Sequence, residues 1–186
     1  EVNHGPYLID HNIMLSGRSL RDWSQGGAFA HNLMAGDVQQ ATQGRKTPYF
    51  APYSTDLIGR APIQGGGNRF YNNLFIGTRG LKAYDRTKRG VSFAGNVYLS
   101  GAVAPASAKA PLKDNTTDPR PTLETANGRL YLRLGVKPMW RADQRTSLVT
   151  TALLGKAQVP EARFEAGDGT PWRLRRDYRG RLRHAD

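Results

Sequence analysis

The chain contains no cysteine among its 186 residues, which excludes disulfides and thiolate metal sites and leaves the compartment open. It holds no run of about 18 consecutive apolar residues, so no membrane-spanning helix is expected, and no signal-peptide pattern is visible. Acidic charge is scarce: 15 Asp and Glu stand against 27 Lys and Arg, for a net charge of +12. Seven arginines fall between Arg163 and Arg183. Such a stretch suits nucleic acid or an acidic polymer. No aromatic interleaving or nucleic-acid motif accompanies it, however, so a solvated basic face is the favoured reading and neither nucleic acid nor a membrane is expected as a partner. Long helical periodicity is missing as well.

What is present is an octet repeated four times in the first hundred residues. The copies run Ile9–Ser16, Phe29–Gly36, Phe70–Gly77 and Phe93–Ser100, each with an aromatic or aliphatic residue first, Asn fourth, apolar residues next and Ser or Gly last. The asparagines Asn12, Asn32, Asn73 and Asn96 are 20, 41 and 23 residues apart, so the middle gap is one period plus a long loop or two periods. A period near 20 marks a solenoid, in which one repeat cannot bury its own apolar face and must stack on a neighbour. Strand-type alternation within each copy predicts short strands and a parallel β-helix.

In that arrangement Ile13, Leu33, Leu74 and Val97 form one interior column, and Ile9, Phe29, Phe70 and Phe93 another. Asn at a fixed corner suits a tight turn, because its amide tolerates left-handed backbone and can bond the Asn stacked above. The expected organisation is residues 1–101 as coils with active-site loops, 102–121 as a linker-like Ala/Pro segment and 122–186 as a C-terminal β-rich segment. Within the last, the alternation of Arg129–Val136 predicts a strand with one buried face, and Ser147–Leu154 reads similarly. The first repeat follows Glu1 closely and has no polar cap, so the chain reads as a piece of a longer one.

A rigid coil leaves chemistry to its loops. Three stand out: the segment from Glu1 to Pro6, the segment from Ser19 to Gly27, and an insertion running from Gln43 to Pro62, expected to leave the coil as a lid over Glu1, His4 and Trp23. Repeat spacing sets Glu1 near Arg21, Asp22 and Trp23 on the next coil. Carboxylates, an indole and the lid residues Tyr49 and Tyr53 around one concavity suit a sugar, whose ring faces stack on apolar groups while carboxylates supply acid–base chemistry. His11 and His31 share a repeat position without a third ligand at that spacing, so no metal site is expected. Gly65-Gly66-Gly67 reads as a turn rather than a phosphate cradle, since no helix start follows.

The run from Glu1 to Ser16, the run from Trp23 to Leu33, and the stretches Thr47-Pro48-Tyr49, Asn68–Phe75, Ser147–Ala157 and Asp168–Pro171 resemble the C-terminal half of β-xylosidases of glycoside hydrolase family 120. That resemblance covers nearly the whole chain. It implies a right-handed parallel β-helix of the pectate-lyase-like kind and a retaining xylosidase acting on xylo-oligosaccharides. Glu1 would be the general acid/base and an Asp nucleophile would lie upstream, so the fragment alone would be inactive. Substrate contacts fall to His4, Asp22, Trp23, Tyr49 and Tyr53. Phe50 and Tyr53 depart from the family pattern, where histidine is frequent. No cofactor is implied, and self-association of the full-length protein is left open. Two other classes remain as alternatives: a β-helical polysaccharide lyase, marked by a cleft centred on Arg or Lys, and a non-catalytic carbohydrate-binding or tailspike-like solenoid.

Overall fold

The computed structural model describes residues 2–42, 44–77, 79–137, 146–177 and 179–183. Among these the chain is nearly all β, with one 3-10 helix at Lys82–Arg86 and one helical turn at Thr151–Leu154. Strand pairing follows the repeat. Tyr7–Asp10, Gly27–Ala30, Arg69–Tyr71 and Ser92–Ala94 lie parallel in one sheet. A second parallel sheet takes Ile13–Met14, Leu33–Met34, Leu74–Ile76, Val97–Leu99 and Leu112–Asp114. A third parallel pair joins Arg18–Asp22 to Asp37–Gln40. Parallel neighbours need a long connection between them; here each connection is the next strand of another sheet.

The asparagines form the expected column. Nδ2 of Asn12 donates to Oδ1 of Asn32 at 3.1 Å, Asn32 donates to Asn73 at 3.0 Å and Asn73 donates to Asn96 at 3.0 Å. The left-handed residue, however, is the one before each Asn. His11, His31, Asn72 and Gly95 all have φ between 56° and 63°. The ladder Asn accounts for the difference: its backbone N–H is aimed at the next coil's amide oxygen, as from Asn32 to Asn73 at 3.0 Å, and the sharp turn is made one residue earlier. Histidine and asparagine are among the non-glycine residues that tolerate this region best.

The Ile9, Phe29, Phe70 and Phe93 column is in register and interior. Phe29 and Phe70 stack at 4.7 Å between ring centroids, and Phe70 and Phe93 at 5.8 Å. Ile13, Leu33, Leu74 and Val97 are also in register, but they face away from this core. Ile13 is 53% exposed, while Met14, Met34, Phe75 and Tyr98 pack with Phe29 and Phe70. Successive strand residues point to opposite faces, so the true core column is one residue further on. Val97 and Leu99 instead make a separate outer cluster with Leu74 and Leu112.

The outer face of the first sheet is covered by the C-terminal segment. Val149, Leu154, Ala157 and Phe164 pack on Ala28, Ala30 and Tyr71. Ser147–Leu154 is therefore no strand: Thr150 caps a single helical turn by accepting from the Leu153 N–H, and Gly155 follows it. Ala102 and Ala104 are buried in the main core and Leu112–Asp114 adds a fifth strand to the second sheet, so the 102–121 segment contributes to the stack. Thr122–Ala126 and Arg129–Arg133 pair as an antiparallel hairpin. It lacks the expected buried face, since Leu123 and Leu130 are 52% and 66% exposed.

Candidate functional site

The insertion between the second and third repeats folds as an antiparallel hairpin, Lys46–Phe50 against Leu57–Pro62. Pro48 is accommodated there because a two-stranded ribbon consists only of edges. The hairpin, the segment Val2–Pro6 and residues 160–165 of the C-terminal segment enclose a cavity of about 540 Å³. Tyr49, Phe50, Tyr53 and several prolines give it apolar walls, Arg45 and Arg163 line it with positive charge, and Glu165 brings a carboxylate. Gly5, at φ 69°, allows the chain to turn against the neighbouring coil: a Cβ there would stand 2.1 Å from the Gly26 carbonyl oxygen. Gly66, at φ 84°, permits another close approach between coils, since a Cβ there would meet the Arg89 oxygen at 2.2 Å.

His4 ties the walls of the cavity together. The Gln25 amide is oriented by its Oε1, which accepts from the Gln64 N–H at 2.9 Å. Its Nε2 therefore donates, to the Pro62 carbonyl and to His4 Nδ1 at 2.7 Å. The proton of His4 must then sit on Nε2, which donates to the Thr47 carbonyl at 3.1 Å and lies 2.8 Å from Thr47 Oγ1. Burial lowers the His4 pKa, with Arg89 adding to the effect. A neutral imidazole with both nitrogens engaged and 2% exposure holds the hairpin against the Val2–Pro6 segment and has no free group to offer a proton.

Tyr49 packs edge-on to the His4 ring at 5.7 Å and lines the cavity. Tyr53, in left-handed conformation at φ 58°, donates its hydroxyl to Glu165 Oε1 at 2.7 Å and to the Ala166 carbonyl at 3.1 Å. The hydrogen bond to Glu165 raises the Tyr53 pKa. This contact joins the hairpin to the C-terminal segment at the edge of the cavity. Thus His4, Tyr49 and Tyr53 come together as the sequence suggests.

Asp22 and Trp23 lie apart from that cavity. Asp22 is 3% exposed and accepts from the Ser24 N–H at 2.9 Å, Asn68 Nδ2 at 3.0 Å and the Tyr84 hydroxyl at 2.7 Å. Burial raises its pKa against the opposing pull of these donors, and burial together with Asp22 pushes the Tyr7 and Tyr84 hydroxyls far up. Its reach toward the cavity is indirect: the Asn3 N–H donates to Ser24 Oγ at 3.3 Å, and the Gln25 N–H to the Asn3 carbonyl. Trp23 borders a different depression with the Arg21 guanidinium 3.9 Å over its ring. Glu1 lies outside the described residues.

Glu165 and Arg163 are the residues that sequence reading missed. Glu165 is 112 positions from its partner Tyr53, beyond the repeat region, and no periodicity connects the two. His11 and His31 stack at 5.1 Å. Their surroundings are Asp10, the Arg176 carbonyl and Arg183, and among the described residues no group of three or more His, Asp or Glu is placed to hold a metal ion.

No protein-family profile matches the chain, and no curated protein does. A solved structure, the complex structure of XylC with xylose, is similar over the whole of it: 30% of residues are identical, the TM-score is 0.86, and the match covers 100% of this chain and 34% of that one. The chain thus spans about a third of the length of the solved structure that it matches.

Proposed function

We propose that this chain belongs to a xylosidase-like glycoside hydrolase of family 120, built on a right-handed parallel β-helix, and that the cavity between Val2–Pro6, the hairpin and Glu165 receives a sugar. The observation that carries the reading is the likeness over the whole of this chain, at 30% identity and TM-score 0.86, to about a third of a structure holding xylose. The cavity chemistry agrees with it. Ring faces at Tyr49 and Tyr53 suit a pyranose, and a small number of fixed polar groups suit its hydroxyls. The organisation we propose keeps coils over 1–101, a connecting segment over 102–121 that still feeds the stack, and a C-terminal segment over 122–186.

In this reading Glu1 is the acid/base of a retaining mechanism and the nucleophilic Asp belongs to an upstream coil. Retention needs the two carboxylates roughly 5–5.5 Å apart, so this chain by itself binds sugar without cleaving it. His4 and the buried Asp22 act by position: Asp22 holds Ser24, Ser24 holds Asn3, and His4 locks the hairpin, so that the segment following Glu1 is fixed on both sides. Arg45 and Arg163 at the cavity are the feature a lyase would share; the likeness to a structure holding xylose, a neutral sugar without the carboxylate that a lyase needs beside the abstracted proton, favours the hydrolase. Calorimetric titration with xylose tests the reading. Binding that is weakened by Tyr49→Ala and by Tyr53→Ala supports it, whereas no binding, or binding indifferent to both variants, would falsify it.

A further inference from the structure

We propose a second saccharide site, on the face carrying Arg18–Asp22, Asp37–Gln40 and the 3-10 helix, whose ligand is a uronate-bearing oligosaccharide. Two adjoining hollows of about 820 and 330 Å³ share Gln40, Ala41, Arg79 and Ala83 and together make one groove. Four cations border it: Arg21, Arg79, Lys82 and Arg86, all exposed. Among the described residues none of the four takes part in an ion pair. Among the described residues Asp85 is the lone carboxylate lining the groove, and its Oδ1 is already committed to the Ala106 N–H at 2.8 Å.

Four like charges around a concave surface repel one another and focus positive potential into it. An anion relieves that repulsion, and guanidinium groups favour a carboxylate because the two planar forks match. Charge alone would suit any polyanion. The rest of the lining is what selects a sugar: the half-buried Trp23 indole borders the groove, with Arg21 holding it in place from 3.9 Å, and Gln39 and Thr42 supply uncharged donors and acceptors for hydroxyls. A single indole serves one pyranose, whereas tracking a nucleic-acid strand calls for several stacked rings. The inference rests on the carbohydrate reading above and narrows it: the chain is adapted to acidic rather than wholly neutral oligosaccharides.

Calorimetry on the protein with three probes tests this: a xylotriose carrying one glucuronate, neutral xylotetraose, and a short single-stranded oligonucleotide. At low salt the acidic sugar should bind about tenfold more tightly than the neutral one. The preference should vanish in Arg79→Gln/Arg86→Gln and also in Arg21→Gln on the opposite wall, and it should persist in Tyr53→Phe, which alters only the xylose cavity. These are exposed positions, and a melting curve for each variant verifies folding. Equal affinities for the two sugars, a preference that survives both groove variants, or an oligonucleotide that binds more tightly than the acidic sugar would each overturn the proposal. If neutral xylotetraose still binds in a Tyr53-dependent way while the acidic preference is absent, the second site fails and the first stands.

Discussion

Asn32 and Asn73 are 41 positions apart in sequence and adjacent in the stack, with Asn32 Nδ2 donating to Asn73 Oδ1 at 3.0 Å. The whole hairpin that walls the candidate cavity is inserted between them. The ladder therefore does two things at once: it keeps the coils in register across an interruption, and it returns the chain to the place where the hairpin must leave and rejoin. Buried amides with every partner satisfied can do this because a misaligned coil would strand them in a low-dielectric interior.

Asn73→Ala should consequently cost more than a typical polar substitution. It removes the acceptor of the Asn32 N–H and Nδ2, and the donor to the Phe29 carbonyl and Asn96 Oδ1. Leaving such buried groups unpaired costs about 2–4 kcal/mol in all. Asn12 is exposed at the end of the described ladder, so Asn12→Ala should cost about 1 kcal/mol or less. Urea denaturation of the two variants measures the difference, and equal losses would show that the ladder is not a buried cooperative unit.

Acid should loosen the fold before the carboxylates begin to titrate. Burial, with help from Arg183 and His11, holds the His31 pKa down to about 3, against an ordinary value of 6.5, and burial lowers that of His4 as well. The unfolded chain thus binds more protons than the folded one below pH 6.5, and stability rises with pH through this window. The contribution is complete above about pH 6.5 and is lost as pH falls toward the folded values. His31→Asn, which installs the residue type that Asn72 supplies one coil further on, should flatten the pH dependence between 6.5 and 4 without breaking the turn. An unchanged slope in denaturation curves across that range would assign the acid sensitivity elsewhere.

The repeat made the stack legible, since each octet states its own register and the Asn column depends only on spacing. Which of two alternating columns faced inward was not legible, because Ile13 and Met14, or Leu74 and Phe75, are both apolar and period-2 alternation gives no sign when neither neighbour is polar. The site was half visible. His4, Tyr49 and Tyr53 sit in segments that flank or interrupt the repeats, where function is expected. Glu165 reaches the cavity only because the C-terminal segment packs Phe164 and Val149 on the outer alanines of the first sheet, a tertiary event without local signal. Asp22 is expected among the substrate contacts beside Trp23, yet Tyr84 and Asn68 draw it inside.

Tyr53→Phe isolates the link between the hairpin and the C-terminal segment. It deletes only the hydroxyl that bonds Glu165 and Ala166 and keeps the ring. Because the site is exposed, the melting temperature should be nearly unchanged, while xylose affinity should fall several-fold as the cavity wall loses its clamp. Glu165→Gln keeps an acceptor for the Tyr53 hydroxyl and should be milder. If Glu165→Gln weakens xylose far more than Tyr53→Phe, the carboxylate contacts the sugar itself and the clamp is secondary.

The chemical reading turns on Glu1, and it is tested in a longer chain that carries the coils preceding it. If Glu1 is the acid/base, Glu1→Gln removes proton donation and leaves the nucleophile in place. Aryl xylosides with good leaving groups need little protonation, so they should still form the glycosyl-enzyme and give a burst, whereas xylobiose turnover should fall about 10²–10⁴-fold. Added azide should restore turnover of the aryl substrate, because a small anion needs no general base to attack the intermediate. A variant that slows both substrates equally with no azide rescue, or that still hydrolyses xylobiose, would remove Glu1 from the mechanism and with it the retaining hydrolase.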